Sequence, residues 1–115
     1  MVIQIFGTKK CKDTKKAIRF FKERRIQTQF INLREKDISP GELNGIKRYI
    51  PVDELIDKDG REYEDQNLKY IRHDIEEELL DNPLLIKTPI VRSSSGATVG
   101  HQPDTWKDWA TALKQ

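Results

Sequence analysis

Apolar positions in this chain fall into short alternating runs and helical stripes, with no long continuous block. Val2 to Phe6 alternates and stops at Gly7, which predicts a strand followed by a turn. From Lys12 to Arg25 there is neither Gly nor Pro, and Ala17, Ile18, Phe20 and Phe21 repeat at helical spacing. Arg24-Arg25 suit the negative end of that helix's dipole. Thr28 to Leu33 alternates again. The opening third therefore predicts β-α-β, with parallel strands joined by a right-handed crossover.

Ser39-Pro40 followed by Glu42 supplies an N-cap, a proline in the first turn and an acid near the positive helix end. The helix it starts carries Leu43, Ile46 and Tyr49-Ile50 and stops before Pro51. A second helix is predicted from Val52 to Ile56, ending near Asp59-Gly60, and Asp74 opens another over Ile75 to Leu80 that Asn82-Pro83 ends. Ile90-Val91-Arg92 and Ala97 to Gly100, split by a turn at Ser93 to Gly96, predict an antiparallel hairpin. Pro103 starts a last helix, where Trp106, Trp109, Ala110 and Leu113 fall on one face that should bury both tryptophans. The predicted order is β-α-β, a helical block, then β-β-α, which is an α/β fold. The chain shows no repeat, linker or low-complexity segment.

At 115 residues, 36% hydrophobic and 35% charged, the chain suits one domain with a packed core. No stretch reaches the ~20 apolar residues of a membrane span, and the N-terminus is too short and too alternating for a signal peptide. A reducing cytosol is the compartment this implies. One cysteine and two distant histidines, His73 and His101, exclude a zinc site built on Cys/His spacing. The net charge of +2 sets up no global field for nucleic acid. Its distribution is uneven: Lys9, Lys10, Lys12, Lys15 and Lys16 surround Cys11. Such a run is either a solvated helix face or a local positive potential around a thiol.

Cys11 falls between the first strand and the first helix, at the carboxyl end of a strand, where α/β sheets bind ligands. Backbone N–H groups and the positive helix end point there and stabilise an anion. Such a site lowers a cysteine pKa from about 8.5 to roughly 3.5–7.5. Thr14, three residues on, brings a hydroxyl close to the sulfur, and Lys12 and Lys15 add positive charge. The other reading is an incidental buried cysteine, against which the flanking lysines speak. Cys11 is thus the candidate nucleophile, with Thr14, Lys12 and Lys15 as candidates for stabilising its thiolate.

The stretch Phe6-Gly7-Thr8-Lys9-Lys10-Cys11-Lys12-Asp13-Thr14-Lys15-Lys16-Ala17 resembles the active-site loop of the arsenate reductase (ArsC)-like family, the thioredoxin-fold branch that includes Spx- and YffB-type proteins. Asp81-Asn82-Pro83 through Lys87-Thr88-Pro89-Ile90-Val91 is similar to its second signature, and Gly100-His101-Gln102-Pro103 to the stretch before its terminal helix. The resemblance spans essentially the whole chain, with a helical insertion at about 39–81. It implies a thioredoxin-like fold with a mixed central sheet and Pro89 in the cis form facing the cysteine. It implies further that the Cys11 thiolate attacks an arsenate-like oxyanion or a mixed disulfide. Thr14 would then be the thiolate's hydrogen-bond partner and Lys15 the family's basic residue. Glutathione would be the co-substrate, glutaredoxin would resolve the product, and no cofactor would be bound.

The family's arsenate-reducing members grip the oxyanion with three arginines. Where one precedes the cis-proline this chain has Thr88; where another precedes the terminal helix it has Gly100-His101-Gln102. The third falls near Asp57-Lys58, with Arg61 the nearest arginine. Thr88, Arg61, His101 and Arg92 are therefore the substrate-binding candidates, with a surface contact the favoured reading for Arg92. A threonine and an imidazole do not reproduce guanidinium forks. The rival reading is an Spx-like regulator that contacts RNA polymerase, but Thr14 stands where that branch has its second cysteine. A single cysteine needs an external thiol to release a product.

Overall fold

The computed structural model describes residues 3–57, 75–94 and 96–113. Strand β1 (Ile3–Gly7) leads into helix α1 (Lys12–Glu23), and β2 (Thr28–Asn32) returns parallel to β1, with Ile3 opposite Thr28 and Gly7 opposite Asn32. Helix α2 (Pro40–Lys47), a 3-10 turn at Val52–Glu54, helix α3 (Ile75–Asp81) and a second 3-10 turn at Pro83–Leu85 follow. The chain then forms β3 (Ile90–Ser93), β4 (Gly96–Val99) and helix α4 (Pro103–Leu113). The sheet order is β2-β1-β3-β4, with β3 antiparallel to both neighbours. This is the mixed, thioredoxin-like sheet that the resemblance implies.

The alternation in the strands distributes the core over two faces. Ile3, Ile5 and Val91 pack with Ala17, Phe21 and Trp106 on the α1 and α4 side. Phe6, Ile31 and Ile90 pack with Leu43, Ile46 and Leu79 on the other. A central strand buried on both faces is what a sheet with helices on each side requires.

Several boundaries differ from the expected ones, each for a local reason. Helix α1 ends at Glu23, two residues early. Arg24 caps it, and Arg25 takes a left-handed φ of 58°. The Arg25 N–H donates to Lys22 O and the Ile26 N–H to Phe21 O, both at 3.0 Å. That pair of bonds is the Schellman closure, with Ile26 packing beside Phe21 in the same core cluster. The capping box expected at Ser39 forms: its Oγ accepts from the Glu42 N–H at 3.1 Å, and Glu42 Oε1 accepts from the Ser39 N–H at 3.0 Å. The helix stops at Lys47, so Tyr49 lies beyond it and is 55% exposed.

The helix expected from Val52 to Ile56 is a single 3-10 turn. Ile56 instead pairs with Ile86, the Asp57 N–H donating to Leu85 O at 2.8 Å and the Lys87 N–H to Leu55 O at 2.7 Å. Those bonds take the backbone out of helical geometry. The expected end near Asp59-Gly60 and the opening at Asp74 lie outside the described residues. The hairpin forms, with Ser93 opposite Gly96. Only one of the two tryptophans is fully buried. Trp106 is enclosed and donates its Nε1–H to Thr98 Oγ1 at 2.8 Å. Trp109 is half-buried because it lies at β4, the edge of the sheet, where it and the exposed Tyr49 both approach Gly96. No described helix is long and apolar enough to cross a membrane.

Candidate active site

The antiparallel register explains how residues far apart in sequence meet. Phe6 lies opposite Ile90, so the residues just before β3 arrive at the carboxyl end of β1. Cys11 stands there as the N-cap of α1, with extended dihedrals (φ −76°, ψ 120°) that begin the helix. Its N–H donates to Thr8 O at 3.2 Å, and its carbonyl accepts the first helical bond, from the Lys15 N–H, at 3.1 Å. An N-cap side chain faces the free N–H groups of the first turn. Here that side chain is a half-buried thiol.

The Thr88–Pro89 bond is cis, and Thr88 reaches the sulfur from the opposite side of the site. Its Oγ1–H donates to Cys11 Sγ at 3.1 Å, while the thiol lies 3.8 Å from the Thr88 carbonyl oxygen, which can accept from S–H. Burial by itself pushes the Cys11 thiol upward. The hydroxyls of Thr14 and Thr88 and the backbone N–H groups of Thr14 and Asp13 outweigh it, and hold the group below its ordinary value. Thr14 is fully buried, and its Oγ1 has no hydrogen-bond partner of good geometry among the described residues. Opposite a neutral thiol, a weak acceptor, that hydroxyl is left unsatisfied; opposite a thiolate it has a charged acceptor within reach.

Gly7 makes this approach possible. A Cβ there would meet Thr14 Oγ1 and lie 2.6 Å from Thr14 Cγ2, so only glycine lets the helix sit this close to β1. Sequence reading found Gly7 as a turn signal and not as a seat for Thr14. Thr88, a substrate-binding candidate from the sequence, has its hydroxyl bonded to the sulfur. The adjacency of Thr88 to Pro89 was the signal available.

The remaining candidates divide clearly. Lys12 and Lys15 are exposed, and the influences that lower the thiol are hydroxyl and backbone groups. Arg92 lies opposite Gln4, two residues along β3 from the site end. Its Nη1–H reaches Gln4 Oε1 at 3.5 Å, and its guanidinium lies over Gly45 of α2. The structure does not bring it to the sulfur. His101 is exposed, with its ring edge-on to Trp106 at 5.5 Å. Arg61 and His73 lie outside the described residues. Beside the Thr88 lead-in runs a groove of about 440 Å³ lined by Asp53, Glu54, Ile56, Asp57, Lys87, Val99 and Gln102. Its walls are tied to the site by the Lys87 to Leu55 bond and by the Gly100 N–H donating to Pro89 O at 2.9 Å.

Known proteins share this architecture. A YffB protein superposes with a TM-score of 0.81 at 20% identity, over 93% of this chain and 97% of its own. An arsenate reductase from Vibrio cholerae gives 0.78 at 21% identity, over 94% and 97%. An arsenate reductase (ArsC)-related protein from Brucella melitensis gives 0.65 at 21% identity, over 95% and 94%. No curated protein matches in sequence. The model of the ArsC family matches residues 6–109, from the end of β1 through most of α4. The chain belongs to the ArsC family.

Proposed function

We propose that this protein is a thiol-dependent reductase in which the Cys11 thiolate attacks a mixed disulfide. The observation that carries the reading is the Thr88 hydroxyl on Cys11 Sγ at 3.1 Å. It adds a thiolate donor at the position where arsenate-reducing relatives direct an arginine at the oxyanion. In the attack the thiolate displaces one half of the disulfide, which leaves as a thiolate and takes a proton from water. Cys11 is left in a mixed disulfide with the other half. The chain has no second cysteine, so an external thiol must attack that bond and return Cys11 to the thiolate. Glutathione, with glutaredoxin behind it, fits that role. Arg92 is directed to Gln4 and Gly45, and Thr88 stands on the sulfur where arsenate-reducing relatives have an arginine, which disfavours arsenate as the substrate.

The test is the pH dependence of Cys11 alkylation, repeated with arsenate, phosphate and sulfate present, alongside a glutathione-coupled assay on a glutathione mixed disulfide. The expected result is a midpoint below that of a free thiol, no protection by the oxyanions, and turnover of the mixed disulfide. Arsenate turnover at ~1 s⁻¹ or above, in the range of ordinary enzymes, would overturn the substrate assignment. A midpoint at the free-thiol value would remove the enzyme and favour a module that binds a protein such as RNA polymerase.

A further inference from the structure

Hydroxyl and backbone groups hold the Cys11 thiol below its ordinary value, and the lysines around it are all exposed. They nonetheless form the strongest local charge near the site. Lys9, Lys10, Lys12, Lys15 and Lys16 flank the sulfur within five positions, against one aspartate. Among the described residues of this stretch the ion pair is Lys16 Nζ to Asp13 Oδ1 at 3.8 Å, which leaves the other four lysines facing solvent. Gathered on eight consecutive positions at the start of α1, they add to one another's field at low salt, where the Debye length is ~30 Å at 0.01 M. A charged rim around a reactive group raises the encounter rate of the opposite charge.

Resting on the thiol-disulfide reading above, we propose that this rim selects its substrate by charge: Cys11 reacts preferentially with a disulfide flanked by negative charge. The lysines act on encounter, and Thr14, Thr88 and the helix N-terminus act on the sulfur. In the step the Cys11 thiolate bonds to one sulfur of the anionic disulfide, the S–S bond breaks, and the other sulfur leaves with the electron pair. Opposing charge comes from Asp13, from Glu35, which lines a pocket together with Lys9, and from Asp53, Glu54 and Asp57 in the groove lined by Lys87. Asp53, Glu54 and Asp57 share their groove with Lys87, and the rim must prevail over all these carboxylates at the sulfur.

The experiment uses the reduced full chain with three disulfides: dianionic dithiobis-nitrobenzoate, neutral dithiodipyridine and dicationic cystamine. Each rate is divided by that of the same probe with mercaptoethanol. At about 0.01 M salt the normalised rate of the dianion should exceed that of cystamine by about tenfold, and the gap should close at about 0.5 M. The neutral probe should be insensitive to salt. Replacing Lys9→Glu together with Lys10→Glu should cut the ratio several-fold, and because the ratio compares probes on one protein, any change in thiolate fraction cancels. Mixed disulfides on an acidic and a basic peptide extend the series. A further gain with the acidic peptide assigns the natural substrate to a protein segment; no further gain assigns it to a small molecule. Equal normalised rates, or a faster cystamine reaction, overturn the charge preference and leave the reductase standing. Rates of an unactivated thiol with all three probes overturn both.

Discussion

The hydroxyl of Thr88 donates to the sulfur of Cys11 at 3.1 Å, across 77 positions of sequence. The contact exists because β3 runs antiparallel to β1 and delivers its lead-in to the end of the sheet where α1 begins. Helix N-terminus and lead-in thus close on one sulfur from two sides.

Replacing Thr88→Val keeps the shape and removes that donor. A hydrogen bond to a charged group contributes about 1.5–3 kcal/mol, so the Cys11 midpoint should rise by roughly one to two pH units. Thr88→Ser should restore it. Thiolate absorbance followed against pH reads both variants, and an unmoved midpoint in Thr88→Val would detach the hydroxyl from the thiolate.

The depressed thiol also makes stability depend on pH. Folded Cys11 loses its proton at a lower pH than unfolded Cys11, so the native state binds fewer protons in the window between the two values. The thiolate's contribution is full above the unfolded value of about 8.5 and is lost as pH falls through the folded value. The melting temperature of the reduced protein, measured against Cys11→Ala, should therefore gain as pH rises through this window. A constant difference would contradict the assignment.

Gly7→Ala tests the seat of Thr14. The new Cβ would lie 2.6 Å from Thr14 Cγ2, and both groups sit between strand and helix with little room to yield. Overpacking of this kind costs about 1–3 kcal/mol. Denaturant unfolding should show that loss, and the Cys11 midpoint should rise because Thr14 is displaced. A stable variant with an unchanged midpoint would refute the tight approach.

Arg25 occupies the left-handed position of the α1 closure, with φ 58°. An L-residue there costs about 1–2 kcal/mol, a penalty glycine avoids while giving up some chain entropy. Arg25→Gly should stabilise the protein by about 0.5–1 kcal/mol in denaturant unfolding. Loss of stability would mean that the arginine side chain contributes more than its backbone strain costs.

The periodicity of apolar residues, with the Gly, Pro and capping signals between them, determined the β-α-β opening and the β-β-α close, because burial on one face leaves a mark of period two in strands and near four in helices. Cys11 was legible for the same local reason: a lone thiol among lysines, between a strand and a helix, is set by neighbours in sequence. Thr14 could be placed beside it because three residues span one helical turn. The helix boundary at Glu23, the 3-10 turn at Val52–Glu54 and the exposure of Trp109 were not legible. Each depends on a partner remote in sequence or on the position of the sheet edge. The same holds for the roles of Thr88, Gly7 and Arg92. Residue type made all three candidates for something, but only the register of β3 against β1 sends Thr88 to the sulfur and Arg92 to Gln4. Local chemistry is written in neighbouring residues; which distant groups complete it is decided by strand pairing and by the packing of α1 on Gly7.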